Sequence, residues 1–231
     1  MAAKQVALIL GAGPRVGGAV ASKFASLNYS VAVASRKGTG SLDSNGHLSL
    51  QADFSKPDTV APLFEQVKAQ FGAAPSVVVY NAAALTPPSD PANVLSISQD
   101  SFVKDININT VSPYVAAQEA VKGFASLPEG LKKSFIYTGN ILNTVVFPVP
   151  VMLTLGVGKS ASAYWIGVAD ALHKDKGYRF FYADERYGDG KLKGQDLDGD
   201  AHAEFFAQLA SDSGSIPWHA TFAKDKGYVK W

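Results

Sequence analysis

The chain of 231 residues is 47% hydrophobic and 18% charged, carries a formal net charge of +1 and contains no cysteine. Such a balance belongs to a folded chain with a sizeable core, and its near-neutral charge gives no electrostatic case for a nucleic-acid or membrane partner. The missing thiols exclude disulfides and thiolate metal sites and fit a reducing compartment.

The opening "MAAKQVALILGAG" has an apolar run of only five residues before glycines intervene. That is too short for the core of a signal peptide or for a bilayer span, so a cytoplasmic protein is expected. The same run, Val6–Leu10, reads as the first strand. Val16, Val20, Phe24 and Leu27 then share one helical stripe, and "VAVA" at 31–34 and "LSLQA" at 48–52 give the next two strands. A second stripe over 59–71 carries Val60, Leu63, Phe64, Val67 and Phe71, and "SVVVY" follows at 76–80. One long helix is predicted from Gln99 to Phe124, with Ser98 as its N-cap and Pro113 as a kink. "SFIYT" at 134–138, a small-residue helix over 158–172 and "YRFFYA" at 178–183 complete the regular pattern. The polar, glycine-rich stretch 184–200 reads as a long surface loop, and "AHAEFFAQLA" at 201–210 as an amphipathic helix packed on the body. The aromatic tail "IPWHATFAKDKGYVKW" is assigned either to the substrate cleft or to an oligomer face.

Strands that are apolar throughout are buried on both faces, and their alternation with helices predicts a parallel sheet. The fold class is therefore α/β: a single Rossmann-type doubly wound sheet with helices on both faces, over residues 1–231, with an irregular loop near 184–200 and a C-terminal extension.

Between the first strand and first helix stand Gly11, Gly13 and Gly17, spaced G-x-G-x-x-x-G. In that context the first glycine allows the tight turn, the second lets backbone approach a pyrophosphate, and the third lets helix lie close to strand. Phosphate oxygens would meet free N–H groups at the helix N-terminus. The second strand ends in Ser35 and Arg36 rather than the Asp or Glu that suits a ribose diol. Arg36, with Arg15 as a second positive charge, suits a 2′-phosphate and points to NADP as the cofactor.

At this point the chain resembles the short-chain dehydrogenase/reductase family over roughly residues 5–183. The family's T-G-x-x-x-G-x-G aligns with Leu10, Gly11, Ala12, Gly13, Pro14, Arg15, Val16 and Gly17. The resemblance implies that Asp53 contacts the adenine amino group with Phe54 beside the ring, and that Asn81 and Ala82 match the middle of the family's N-N-A-G, flanked here by Tyr80 and Ala83. It also implies a catalytic role for Asn109. The family pairs tyrosine and lysine as Y-x-x-x-K; here the spacing gives Leu155 and Lys159. The lysine then grips the nicotinamide ribose, but the tyrosine that would give a proton is absent, and the orienting serine is replaced somewhere within Thr138, Gly139 and Asn140. Asn140 is the candidate oxyanion-type donor. The family's Pro-Gly after the sixth strand is replaced by Asp184, Glu185 and Arg186, read either as an exposed charged loop or as a carboxylic acid source near the substrate.

Tyr164 lies about 140° round the helix from Lys159 and should face elsewhere, packing or bonding between helices. His47, His173, His202 and His219 show no metal spacing, and no G-x-S-x-G elbow appears. The leading expectation is an NADP-dependent oxidoreductase of a small carbonyl or imine substrate. Its rivals are an NADP(H)-binding pseudoenzyme or regulatory protein without hydride transfer, and a non-redox isomerase or cyclase. The resemblance implies a homodimer or homotetramer paired through the small-residue helix, and a substrate pocket built from loops 85–98, 141–154 and 184–200.

Overall fold

The computed structural model describes residues 5–231; residues 1–4 of the opening run lie outside the described residues. Strand β1 (Val6–Leu10) pairs in parallel with β2 (Ser30–Ser35) on one side and β5 (Val77–Tyr80) on the other. From β2 the sheet continues through β4 (Leu48–Gln51) to the antiparallel two-residue edge β3 (Ser41–Leu42). From β5 it continues through β6 (Lys133–Thr138), β7 (Tyr178–Glu185) and β8 (His219–Ala223), all parallel, to antiparallel β9 (Gly227–Tyr228). Strand order therefore reverses between β1 and β5, the switch point beside which ligands bind in open α/β sheets.

Alternation along each strand divides the core in two. Val6, Leu8 and Leu10 point to one face with helices α2 (Ala61–Phe71), α4 (Ser112–Ala125) and α5 (Leu153–His173), while Ala7 and Ile9 point to the other with α1 (Val16–Ser26) and α6 (Gly199–Ser211). Close packing on the second face is set by glycine: a Cβ at Gly199 would lie 2.6 Å from the Arg15 carbonyl oxygen, so α6 meets the start of α1 almost backbone to backbone.

Several expected boundaries shift. The long helix is α3 (Gln99–Ile106) and α4 joined by a π-helical turn, Asn107–Val111; Ser98 does cap it, accepting the Ser101 N–H at 3.2 Å, and Pro113 sits in the first turn of α4 rather than at a kink of its own. Helix α5 starts five residues ahead of the predicted Gly158, because Leu153 to Val157 continue the apolar face. Leu27 leaves the stripe and is the exposed C-cap of α1. The charged "DER" after β7 is no exposed loop: Asp184 and Glu185 extend the strand and are 0% and 1% exposed, and Arg186 is also buried. The tail adds β8 and β9 to the sheet, with Trp218 against Gly167 of α5 and Trp231 5.6 Å from the Arg186 guanidinium. No described helix is long and apolar enough to cross a membrane.

Candidate active site

The glycine turn is built as its spacing requires. Gly11 has φ +97°, and a Cβ there would lie 2.4 Å from the Ala82 nitrogen; at Gly17 it would lie 2.6 Å from the Gly11 carbonyl oxygen. Gly13 differs, since its Cβ would meet nothing within 4 Å, and the residue borders open space on both sides of the turn. Asn81 Nδ2 donates to the Gly11 carbonyl at 2.9 Å and fastens β5 to the turn. Helix α1 has no side-chain cap and no acidic residue in its first turn; the Gly13 carbonyl takes the Gly18 N–H at 2.9 Å, and no side chain competes with an anion for the amides ahead of it.

Two cavities run from this turn along the carboxyl ends of the strands. The outer one, about 820 Å³, is bordered by Gly11, Ser35, Arg36, Lys37, Asp53, Phe54, Ala82 and Lys104. Ser55 donates both its N–H and its hydroxyl to Asp53 Oδ1, which holds that carboxyl below its ordinary pKa. Phe54 is a core residue more than a wall: its ring packs edge-on against Tyr80, 5.5 Å between centroids, and little of it reaches the cleft. Lys37 and Lys104 were not foreseen. Lys37 was legible as a second cation beside Arg36, whereas Lys104 reaches the cleft only because α3 crosses it.

The inner cavity, about 380 Å³, shares Gly13, Pro14, Asn81, Ala83 and Leu85 with the outer one, so the two are continuous. Its wall adds Val16, Thr138, Asn140, Leu142, Met152, Leu155, Lys159 and Glu185, together with Leu192, Gly194, Gln195 and Leu197. Arg15 belongs here and not beside Arg36: its guanidinium donates to the Gln195 carbonyl, fastening the 186–198 segment to the glycine turn. The expected second charge at the 2′-phosphate is therefore redirected to the other end.

Lys159 is 4% exposed, with Nζ 2.6 Å from the Thr138 carbonyl oxygen and 4.3 Å from the centre of the Tyr137 ring. Burial pulls its ammonium down to about 7, with Asp184 opposing. Asp184, raised to about 6 by burial, is held by Arg186 at 2.7 and 2.8 Å, so it balances charge and takes no place on the cavity wall. Glu185 does reach the wall. Its Oε2 accepts the Asp198 N–H at 2.9 Å, and Lys193 Nζ lies 3.5 Å from Oε1, which has no hydrogen bond.

Asn109 is fully buried, and its side chain clasps both the N–H and the carbonyl of Ala84, at 2.9 and 2.7 Å. Its role here is to hold the π turn against the end of β5. Three tyrosines in register, Tyr80, Tyr137 and Tyr182, stack across β5, β6 and β7. Their hydroxyls donate to the carbonyls of Ile108, Asn109 and Asn140. A Cβ on Gly139 would collide with the Tyr182 ring at 2.2 Å, which explains glycine in that turn. Asn140 Oδ1 accepts the Leu142 N–H at 3.1 Å, so only its amide NH₂ can serve a ligand oxygen. Tyr164 neither packs nor bonds between helices, being 78% exposed. Among the described residues no group of His, Asp and Glu is arranged to hold a metal.

Residues 11–161 match the family model described as Enoyl-(Acyl carrier protein) reductase. Short chain dehydrogenase/reductase dmxR12 of Cryptosporiopsis sp. (strain 8999) is 41% identical over 239 residues, spanning 98% of this chain and 94% of its own. The chain belongs to the short-chain dehydrogenase/reductase family. Among solved structures, a metagenomic short-chain oxidoreductase in complex with NADP matches at TM-score 0.75 and 18% identity, over 95% of this chain and 96% of its own. A short chain dehydrogenase of Burkholderia cenocepacia in complex with NADP matches at TM-score 0.75 and 21% identity, over 96% and 97%.

On the inner cavity's wall Leu155 lies one helical turn before Lys159, and Glu185 borders the same space.

Proposed function

We propose that the chain is an NADP-dependent oxidoreductase that reduces or oxidises a small carbonyl or imine, with an atypical active site. One observation carries this: a continuous cleft with Arg36 and Lys37 at its outer end and Lys159 at its inner end, joined over the open face of Gly13. Its outer cations suit a 2′-phosphate, and its uncapped α1 suits a pyrophosphate. When bound, the dinucleotide supplies or receives a hydride. The chain's own part is to hold it: Ser35 and Arg36 at the adenosine end, Asp53 at the adenine, Asn81 and Ala82 along the middle, Lys159 at the nicotinamide ribose. Asn140 Nδ2 would then meet the substrate oxygen. The proposal extends to a dimer, because Tyr114 of α4 and Tyr164, Val168 and Leu172 of α5 are exposed side chains on neighbouring helices.

Leu155 favours a second reading, in which the chain binds NADP(H) without transferring hydride. The deciding experiment follows NADPH absorbance with 2-tetralone, cyclohexanone and 3,4-dihydroisoquinoline, alongside NADPH binding by fluorescence and thermal shift. Binding with oxidation supports the oxidoreductase; binding without it moves the chain to the second reading; no binding rejects both.

A further inference from the structure

Reduction of a carbonyl needs a proton as well as a hydride, and Leu155 leaves the inner cavity without the family's phenol. The nearby phenols offer no substitute. Tyr80, Tyr137 and Tyr182 are fully buried, their hydroxyls are committed to main-chain carbonyls, and burial raises all three above the ordinary tyrosine range. A guanidinium, a threonine hydroxyl or an amide does not give up a proton readily. Two groups on the wall remain: Glu185 and Lys159. Glu185 accepts the Asp198 N–H through Oε2 and has Lys193 Nζ 3.5 Å from Oε1, a cation that opposes the upward pull of burial on its carboxyl. Lys159 Nζ makes one hydrogen bond, to Thr138, so two of its three N–H bonds are not taken up by that contact.

We infer that Lys159 is the general acid of this site, its ammonium taking the place of the absent phenol as the proton donor to the substrate oxygen. The inference rests on the oxidoreductase reading above and names the group that completes it. As the carbonyl carbon gains the hydride supplied by NADPH, the C=O π pair moves to oxygen. The new O–H bond forms as one N–H bond of Lys159 breaks, giving the alcohol, NADP⁺ and a neutral amine that water then reprotonates. The surroundings suit both states. Facing Lys159 are Tyr137 from β6 and Asp184 from β7, with Arg186 behind Asp184, while Glu185 and Arg15 share the cavity wall. Burial disfavours the ammonium and Asp184 restores part of it, leaving a balance near neutrality at about 7.

The test is Lys159→Arg, which keeps a cation and hydrogen-bond donors for the ribose but cannot release a proton. Expected are NADPH affinity within about threefold of wild type and a kcat lower by about 100-fold or more on any ketone the wild type reduces. Wild-type kcat should fall about tenfold per pH unit above about 7. A Lys159→Arg enzyme at wild-type kcat overturns the inference, as does a wild-type profile flat through the alkaline range. Carbon-13 NMR of ε-labelled lysine in the NADP complex gives an answer that needs neither a variant nor a substrate. A Lys159 signal titrating near 7 supports the role, and one titrating near the ordinary 10.5 rejects it. Failure of every carbonyl and imine to oxidise NADPH is a different result, and it defeats the oxidoreductase reading itself.

Discussion

Gly158 of α5 and Asn109 of the π turn are in contact so close that a Cβ on Gly158 would lie 2.4 Å from the Asn109 Cβ. The Asn109 carbonyl accepts hydrogen bonds from Tyr137 and Ser162 at 2.8 Å, and Lys159 is the next residue along α5. Gly158→Ala must push α5 away from the π turn or tilt it, and overpacking of this kind costs roughly 1–3 kcal/mol. Tm should fall by about 2–4 °C for each kcal/mol lost. NADPH binding should weaken as well, because Lys159 and the Ala84 clasp shift together. A variant with wild-type melting and wild-type affinity would show that the contact relaxes freely.

Lys159 should cost stability in return for its place in the cavity. Its folded pKa, about 7, lies below the ordinary 10.5, so the unfolded chain binds more protons between those values. The stability tied to this group is fully present above 10.5 and lost as pH falls through 7. Lys159→Met removes that slope. At neutral pH and below it should melt higher than wild type by an amount on the order of a few kcal/mol, less about 1 kcal/mol for the lost Thr138 hydrogen bond. Melting curves from neutral to alkaline pH check this: the two proteins should converge as pH rises, and parallel curves contradict the buried-charge account.

The fold was legible because apolar strands, glycine spacing and helical stripes all encode short-range geometry. The site was legible where a role rests on backbone, as at Gly11, Gly17 and Asn81, or on a motif residue such as Lys159. It failed where partners distant in sequence decide the outcome. Arg15 looks like a phosphate ligand until the 186–198 segment folds back to it, 180 residues away. Asp184 and Glu185 look solvated until β8 pairs beside them and Arg186 neutralises the first. The partner of the Asn109 side chain, Ala84, is likewise set by a contact 25 residues away in sequence.

At the outer end of the cleft the prediction concerns cofactor choice. Arg36 and Lys37 border a cavity that also carries Asp53, whose carboxyl is turned towards Ser55. Replacing Arg36 by Asp exchanges a charge-assisted contact for a repulsion with a 2′-phosphate and offers an acceptor to a ribose diol. The Kd for NADPH should rise by about tenfold or more while that for NADH falls, each factor of ten being about 1.4 kcal/mol. Titrations with both nucleotides measure the ratio directly. Wild-type protein binding NADH as tightly as NADPH would remove the phosphate role from Arg36.

Acid stability should depend on His202, which is fully buried between Phe206 and Phe222 at centroid distances of 5.4 and 5.1 Å. Its Nδ1 lies 2.7 Å from the Asp198 carbonyl and therefore donates, while Nε2 has no hydrogen-bond partner. Burial lowers its pKa from 6.5 to about 4, so the folded state resists its protonation. The stability it contributes is present above 6.5 and is lost as pH falls through 4. Asp184 acts with the opposite sign in much the same window: raised to about 6 from 3.8, it favours the folded state most at low pH and loses that contribution as pH rises. Wild type alone should therefore show a muted pH dependence, and the His202→Phe difference isolates the imidazole. At neutral pH the variant loses the Asp198 hydrogen bond, about 1 kcal/mol, and melts slightly lower. As pH falls from 6.5 towards 4 it should overtake wild type by about 2–3 kcal/mol, because the unfolded wild-type chain gains a proton that the phenylalanine chain does not. Denaturant unfolding at several pH values distinguishes this crossing from curves that keep a constant gap, which would mean that His202 takes up its proton in place.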